Sequence, residues 1–131
     1  MKKIIIVSGP VIVKDDKVLL DISSGDDFWK FCGGRARDEE NLQKTAIRRA
    51  KEELNIDVKV IQNNPFLMYI KKEKEGGEIE IVLVHWLADF SGDISIGTDV
   101  EKYSWFEIND LPKNIGSNIL PALKYFGFMN N

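Results

Sequence analysis

Residues 33–57 read GGRARDEENLQKTAIRRAKEELNID, and the rest of the chain is best read outward from them. Two glycines are followed by the acid Glu40, then by an amphipathic segment ending in the adjacent acids Glu52 and Glu53. Asn41 suits the cap of a helix, because its side-chain oxygen can accept a backbone N–H left free in the first turn. Leu42, Ala46, Ile47, Ala50 and Leu54 recur at helical spacing, which predicts a helix over 41–54. Asn55 suits the left-handed position just past its end. Arg49, Glu52 and Glu53 share one side of that helix, beside its apolar stripe, since residues three and four apart are neighbours.

A glycine turn with carboxylates converging from one helix can hold a hard divalent cation. Mg²⁺ takes oxygen ligands, commonly one or two carboxylates with waters and substrate phosphates. Glu52, Glu53, the earlier Glu40 and a backbone carbonyl from Gly33-Gly34 could supply such ligands. The plainer alternative is a solvated acidic face laced with Glu–Lys and Glu–Arg pairs. Arg49 is the odd residue: a cation stands where a metal-binding surface would be expected to carry an acid.

To either side, the sequence alternates strands and turns. Residues 3–13, KIIIVSGPVIV, are rich in β-branched residues and 18–22, VLLDI, follow the polar turn Asp15-Asp16-Lys17, predicting a hairpin. Ser23 to Asp27 read as a loop. Residues 57–61 and 66–72 read as strands, and the Gly76-Gly77 turn leads into a strand over 78–88. That strand is apolar on both faces in its second half, which predicts a central position. A polar loop over 89–102, a short strand near 103–106 and a second amphipathic helix over 117–128 complete the chain, with Pro121 tolerable in the first turn of that helix. Strands mixed with two helices predict an α/β fold, a mixed sheet covered on both faces.

Bulk properties exclude several classes. The 131 residues suit one domain, and 44% hydrophobic with 30% charged residues is an ordinary globular balance. A net charge of -3 without a basic stripe argues against nucleic acid as the main partner. One cysteine and one histidine exclude an internal disulfide and a Cys/His zinc site. The opening apolar run is broken by Pro10 and meets Asp15 and Asp16, so a buried strand is expected there rather than a signal peptide. No stretch reaches the length of a membrane span, and a cytoplasmic protein is expected.

With those residues in view, the central stretch resembles the signature box of the Nudix (MutT-like) hydrolases, Gly-x5-Glu-x7-Arg-Glu-U-x-Glu-Glu-x-Gly-U, with U aliphatic. Gly34, Glu40, Arg48, Glu52, Glu53 and Ile56 fall on its positions, and Ala50 matches the first U weakly. The box departs at Arg49, where the family has glutamate, and at Asn55, where it has glycine. Trp29-Lys30-Phe31-Cys32-Gly33-Gly34 is similar to the family's Trp-x-Leu-Pro-Gly-Gly lead-in, with Cys32 in place of proline.

The resemblance implies a single Nudix domain over 1–131, an α/β/α sandwich, and Mg²⁺- or Mn²⁺-dependent hydrolysis of a nucleoside diphosphate linked to another group. It implies metal ligands at Glu52 and Glu53, with Glu40 and the Gly33 carbonyl assisting, and an orienting ion pair from Arg48. It leaves a homodimer open. Arg49 could compete with the cation by pairing with Glu52 or Glu53, or it could bind phosphate beside Gly34 and stabilise developing charge. The catalytic base in some branches comes from a later loop, where Glu101 is the candidate and Asp99 the second.

Other residues carry weaker functional readings. His85, Tyr69, Trp86 and Phe28 are expected in the core, Lys71, Lys72 and Lys74 at a solvated hairpin tip, and Cys32 as an unactivated thiol. The loop after Leu20 reads Asp21-Ile22-Ser23-Ser24, where many relatives place arginine or lysine, which removes one expected phosphate or substrate contact. Two functions follow: a pyrophosphohydrolase, motivated by the retained glutamates, or a catalytically impaired nucleotide-binding or sensor domain, motivated by Arg49.

Overall fold

The computed structural model describes residues 3–74 and 76–130. The first half contributes β1 (Lys3–Val11), β2 (Val13–Lys14), β3 (Lys17–Ser23), β4 (Gly34–Arg35) and α1 (Leu42–Leu54). The second contributes β5 (Asp57–Val60), β6 (Phe66–Lys74), β7 (Gly77–Ser91), β8 (Val100–Glu107), a single 3-10 turn at Ile108–Asp110 and α2 (Ile119–Tyr125).

Asp15 and Asp16 take φ of 53° and 62°, the conformation a two-residue type I′ turn requires. They close a hairpin of β2 on β3, with Val13 opposite Val18. The hairpin is therefore much shorter than the run 3–13 predicted. Residues of β1 instead run parallel to β7, from Lys3 opposite Ile79 to Val11 opposite Leu87. A β-branched run specifies extended backbone, but its partner is settled by which neighbours bury it.

β7 is central, as its two-sided apolar pattern predicts: β5 and β6 also pair with it, both antiparallel. β4 pairs with β1 at Val7–Arg35 and Ser8–Gly34, completing a five-stranded mixed sheet. β2, β3 and β8 form a second sheet. The polar loop predicted over 89–102 shrinks to residues 92–99, because β7 and β8 extend into it from both sides. The polar residues Glu101 and Lys102 lie on a solvent-facing part of β8, so their composition mimicked a loop. The second helix is likewise shorter than predicted.

β3 shows why the layers form. Val18 and Leu20 pack with Ile119, Ala122 and Leu123 of α2, whereas Leu19 packs with Ala50 and Leu54 of α1. Successive strand residues point to opposite faces, so β3 is buried between two helices. The result is the α/β/α sandwich. Gly9 fixes where the glycine turn lies: a Cβ there would stand 1.9 Å from the Cys32 carbonyl oxygen, so β1 and that turn approach closely only because residue 9 has no side chain. No helix of the described residues is long and apolar enough to cross a membrane.

Candidate active site

α1 presents its acids as the caps dictate. The Asn41 side chain accepts the Lys44 N–H at 2.8 Å, and Asn55 is left-handed at φ 57°, its N–H donating to the Lys51 carbonyl. Both predicted caps therefore form. With its ends fixed, the helix carries Arg48, Arg49, Glu52 and Glu53 toward the glycine turn.

Glu53 is 2% exposed, and a buried carboxylate requires partners. Its Oε1 accepts the Gly33 N–H at 2.8 Å and the Cys32 thiol at 3.4 Å. On its other oxygen, Arg49 stands at 3.3 Å and the Lys30 ammonium at 3.8 Å. Glu52 is more open. Its Oε1 accepts from Arg48 and from Arg49, both at 2.9 Å. Arg49 thus grips both acids at once, as its spacing allowed.

Arg48 is the organiser. It donates to Glu40 through Nε at 2.8 Å, to Glu52 through Nη1, and to the Arg35 carbonyl through Nη2 at 3.0 Å. Glu40 also accepts from the Thr45 hydroxyl at 2.7 Å and the Arg37 N–H. Hydrogen bonds from Arg48 and Thr45 hold its pKa down, to about 2. Both oxygens of Glu40 are engaged, and its bonds hold the Arg48 guanidinium in place.

Among the described residues, Asp21, Cys32 and Glu53 bring their ligand atoms within 4.8 Å of one another, and the sequence reading did not assemble this cluster. Asp21 is not a loop residue: it sits buried in β3, on the face toward α1, with the Lys30 ammonium 3.0 Å from Oδ1. Burial raises its pKa to about 6, against the pull of Lys30. Burial lowers that of Lys30, but Asp21 and Glu53 more than offset this. Burial, then the charge of Glu53, pushes the Cys32 thiol well up, which leaves it protonated and unreactive, as expected. An acid at alternate spacing in an apolar strand was the one signal available for Asp21.

Gly34 explains its own identity. A Cβ there would stand 2.2 Å from Arg49 Nε, so the guanidinium lies directly on the glycine. That Nε is buried and has no hydrogen-bond partner.

Beside the glycines opens a cleft of about 560 Å³. Its lining mixes the charged Asp26, Lys30, Arg35 and Lys72 with Phe28, Phe31, Ile81, Leu83 and His85, beside Gly33 and Gly34. Lys72 and Phe28 therefore face a cavity and not merely a hairpin tip or the core. His85 is buried, but it is not the satisfied core histidine expected: its Nδ1 has no partner. Trp86 is a core residue whose Nε1 donates to Ser8 Oγ at 3.1 Å. Tyr69 is exposed and donates to Glu80. Glu101 lies exposed in strand β8 rather than in a loop, outside the cleft lining and, among the described residues, without a bond to Glu52 or Glu53.

Residues 5–126 match the NUDIX domain. The chain belongs to the NUDIX family. It is 28% identical over 118 residues to mRNA-decapping enzyme subunit 2 of Saccharomyces cerevisiae, covering 87% of this chain but 12% of that protein. It is 29% identical over 107 residues to an ADP-ribose pyrophosphatase of Methanocaldococcus jannaschii, covering 79% of this chain and 62% of the relative. Among solved structures, the C. elegans Ap4A hydrolase binary complex matches with TM-score 0.74 at 22% identity, over 93% of this chain and 94% of that one. A MutT NUDIX hydrolase from Burkholderia pseudomallei matches with TM-score 0.71 at 22% identity, over 93% and 97%. The sandwich is thus the NUDIX fold.

The donor chemistry of this NUDIX site suits a hard cation, because Glu52 and Glu53 offer carboxylate oxygens from adjacent positions. The Arg49 guanidinium already bridges those oxygens. A divalent ion and Arg49 would compete for the same pair.

Proposed function

We propose that this NUDIX chain, read as one domain over 1–131, hydrolyses a phosphoanhydride bond of a nucleoside diphosphate linked to another group, using Mg²⁺ or Mn²⁺. One observation carries the reading. Gly33 contacts Glu53 through its N–H and also lines the cleft, so the carboxylates and the substrate-sized cavity share one turn of backbone. A pyrophosphatase among the relatives supports the reaction class.

Glu52 and Glu53 would hold the ion, with the Gly33 carbonyl assisting and Glu40 acting through Arg48. A bound ion would neutralise the diphosphate and the charge developing on phosphorus. Arg48 keeps Glu52 aimed along the helix end. Arg49, released from the acids, would lie over Gly34 and meet a phosphate bidentately. Glu52, the more exposed acid, is better placed than Glu101 to take a proton from water. Lys30, Arg35 and Lys72 outnumber Asp26 in the cleft lining, a balance suited to phosphates.

The net charge of -3 favours a small nucleotide over a nucleic acid, although one relative is an mRNA-decapping enzyme subunit. The test is hydrolysis of nucleoside triphosphates, dinucleoside polyphosphates, ADP-ribose, nucleotide sugars and capped RNA with Mg²⁺ and Mn²⁺. Metal-dependent turnover of at least one is expected, and none across the panel overturns the reading.

A second reading is motivated by Arg49 alone. Its guanidinium supplies, within the chain, the positive charge that a metal would bring. A NUDIX domain of this kind would bind a nucleotide without cleaving it. The substitution Arg49→Glu separates the two: a large gain in turnover supports an impaired natural site, and a loss means Arg49 works in the reaction.

A further inference from the structure

We propose that Asp21, Cys32 and Glu53 form a binding site for a thiophilic divalent ion, Zn²⁺, which draws Glu53 away from the acid pair it makes with Glu52. Binding stands on these three residues alone, and only its effect on turnover rests on the hydrolase reading.

The donors come from three parts of the fold: Asp21 from β3, Cys32 from the turn before Gly33-Gly34 and Glu53 from the end of α1. All three are at most 3% exposed, and their ligand atoms lie within 4.8 Å of one another. Two further observations point to a ligand. Cys32 Sγ already stands 3.4 Å from Glu53 Oε1. A tetrahedral zinc with sulfur at about 2.3 Å and oxygen at about 2.0 Å holds those atoms about 3.5 Å apart, so this edge of the site is preformed. Both Asp21 oxygens are buried without a hydrogen-bond partner, and such a carboxylate lacks the bonds that normally offset its desolvation.

Which metal the site takes follows from its donors. Mg²⁺ and Mn²⁺ prefer oxygen throughout, whereas a thiolate among carboxylates selects zinc. The set is one sulfur and two carboxylates, and so differs from the Cys/His type that the composition excludes. It differs equally from the Glu52–Glu53 pair proposed for the catalytic ion, which offers no sulfur. Glu53 is common to both, so the two ions compete for it.

Charge decides whether the ion can enter. The Lys30 ammonium stands 3.0 Å from Asp21 Oδ1 and 3.8 Å from Glu53 Oε2, and Arg49 lies 3.3 Å from the same Glu53 oxygen. Two cations thus face two carboxylates and a thiol. Zn²⁺ binds the thiol as thiolate, and the thiol proton leaves to solvent. Three anions then face the two charges of the ion and one from Arg49, which leaves Lys30 surplus. Lys30 has a way out, because its side chain is 22% exposed and lines the cleft. The exchange keeps the buried charges compensated, without which they would be strongly destabilising.

Cd²⁺ is the probe, because its bond to a thiolate gives an ultraviolet charge-transfer band and Cys32 is the single cysteine of the chain. Titrated with Cd²⁺ in thiol-free buffer, the full chain should develop that band to saturation at one ion per chain, and Zn²⁺ should displace it. Asp21→Asn keeps the thiol and should weaken Cd²⁺ binding at least about tenfold, no less than losing an outer partner of a metal ligand costs. No band, or equal affinity in Asp21→Asn, overturns the proposal, the latter because the thiol then acts alone. Cys32→Ser tests it without removing a buried charge: Zn²⁺ affinity by calorimetry should fall at least about tenfold, and equal affinity overturns it. With Mg²⁺ present, Zn²⁺ should suppress turnover of the wild type at concentrations that spare Cys32→Ser, and equal suppression overturns the claim on Glu53. Cd²⁺ binding through Cys32 and Asp21 without turnover of any nucleotide defeats the hydrolase reading and leaves the site standing.

Discussion

The acid end of α1 is tied together by ion pairs, and the neighbouring cleft is not. At the acid end the three glutamates are engaged, sharing Arg48, Arg49, Lys30, Thr45 and backbone donors, while Arg49 Nε and both Asp21 oxygens keep no hydrogen-bond partner. In the cleft, His85 keeps a nitrogen without a partner and Asn118 leaves its helix uncapped. Saturated ion networks are rigid but must be opened before they bind anything, since a gripped carboxylate gives up a partner for each new ligand. The Asn118 side chain, which makes no cap bond to its helix, needs no such rearrangement. The two regions meet at Gly33-Gly34, so the substrate would be held by the second and acted on by the first.

Removing Glu53 should break the comparison most severely. Glu53→Gln keeps an oxygen for the Gly33 N–H but loses the charge, and turnover on whichever panel nucleotide is cleaved should fall by at least about a hundredfold, the scale of losing one transition-state-stabilising group. A rate within a few-fold of wild type would remove Glu53 from the chemistry. Next comes Gly34→Ala. The new Cβ displaces the flexible Arg49 end that it meets, loosening the grip on Glu53, so Mn²⁺ affinity measured by calorimetry should rise by about two- to threefold. Weaker Mn²⁺ binding would mean that Arg49 is not the competitor.

The smallest effect is on stability. The folded pKa of His85 is about 3, below the ordinary value of 6.5, so between those limits the unfolded chain binds more protons. Its contribution is complete above pH 6.5 and is lost as pH falls toward 3. His85→Phe lacks this loss. Thermal melts at pH 7 and pH 4.5 should show the variant gaining on wild type at the lower pH, and a gap that does not change with pH would contradict a neutral buried imidazole.

Much of the acid end was legible because it lies on one helix. Asn41, Asn55 and the Arg48–Glu52 spacing are local features, and helical periodicity alone brings Arg49 to both glutamates. The cleft was not legible for the complementary reason. Lys30, His85 and Asn118 come from the lead-in, the central strand and the start of α2, and no local pattern says that they share a cavity. Asp21 reads as one acid in an apolar strand until Lys30 is seen beside it. The same limit produced the error over β1, whose extended character was local but whose pairing with β7 was not.

The central claim is that Arg49 and a divalent ion compete for Glu52 and Glu53. Mn²⁺ binding to the wild type and to Arg49→Glu, followed by calorimetry, tests it directly. At about 4 Å and an effective dielectric of about 20, each unit-charge interaction is worth up to about 4 kcal/mol before solvent screening, so affinity should rise by at least about tenfold in the variant. Equal Mn²⁺ affinity in the two proteins would contradict the account.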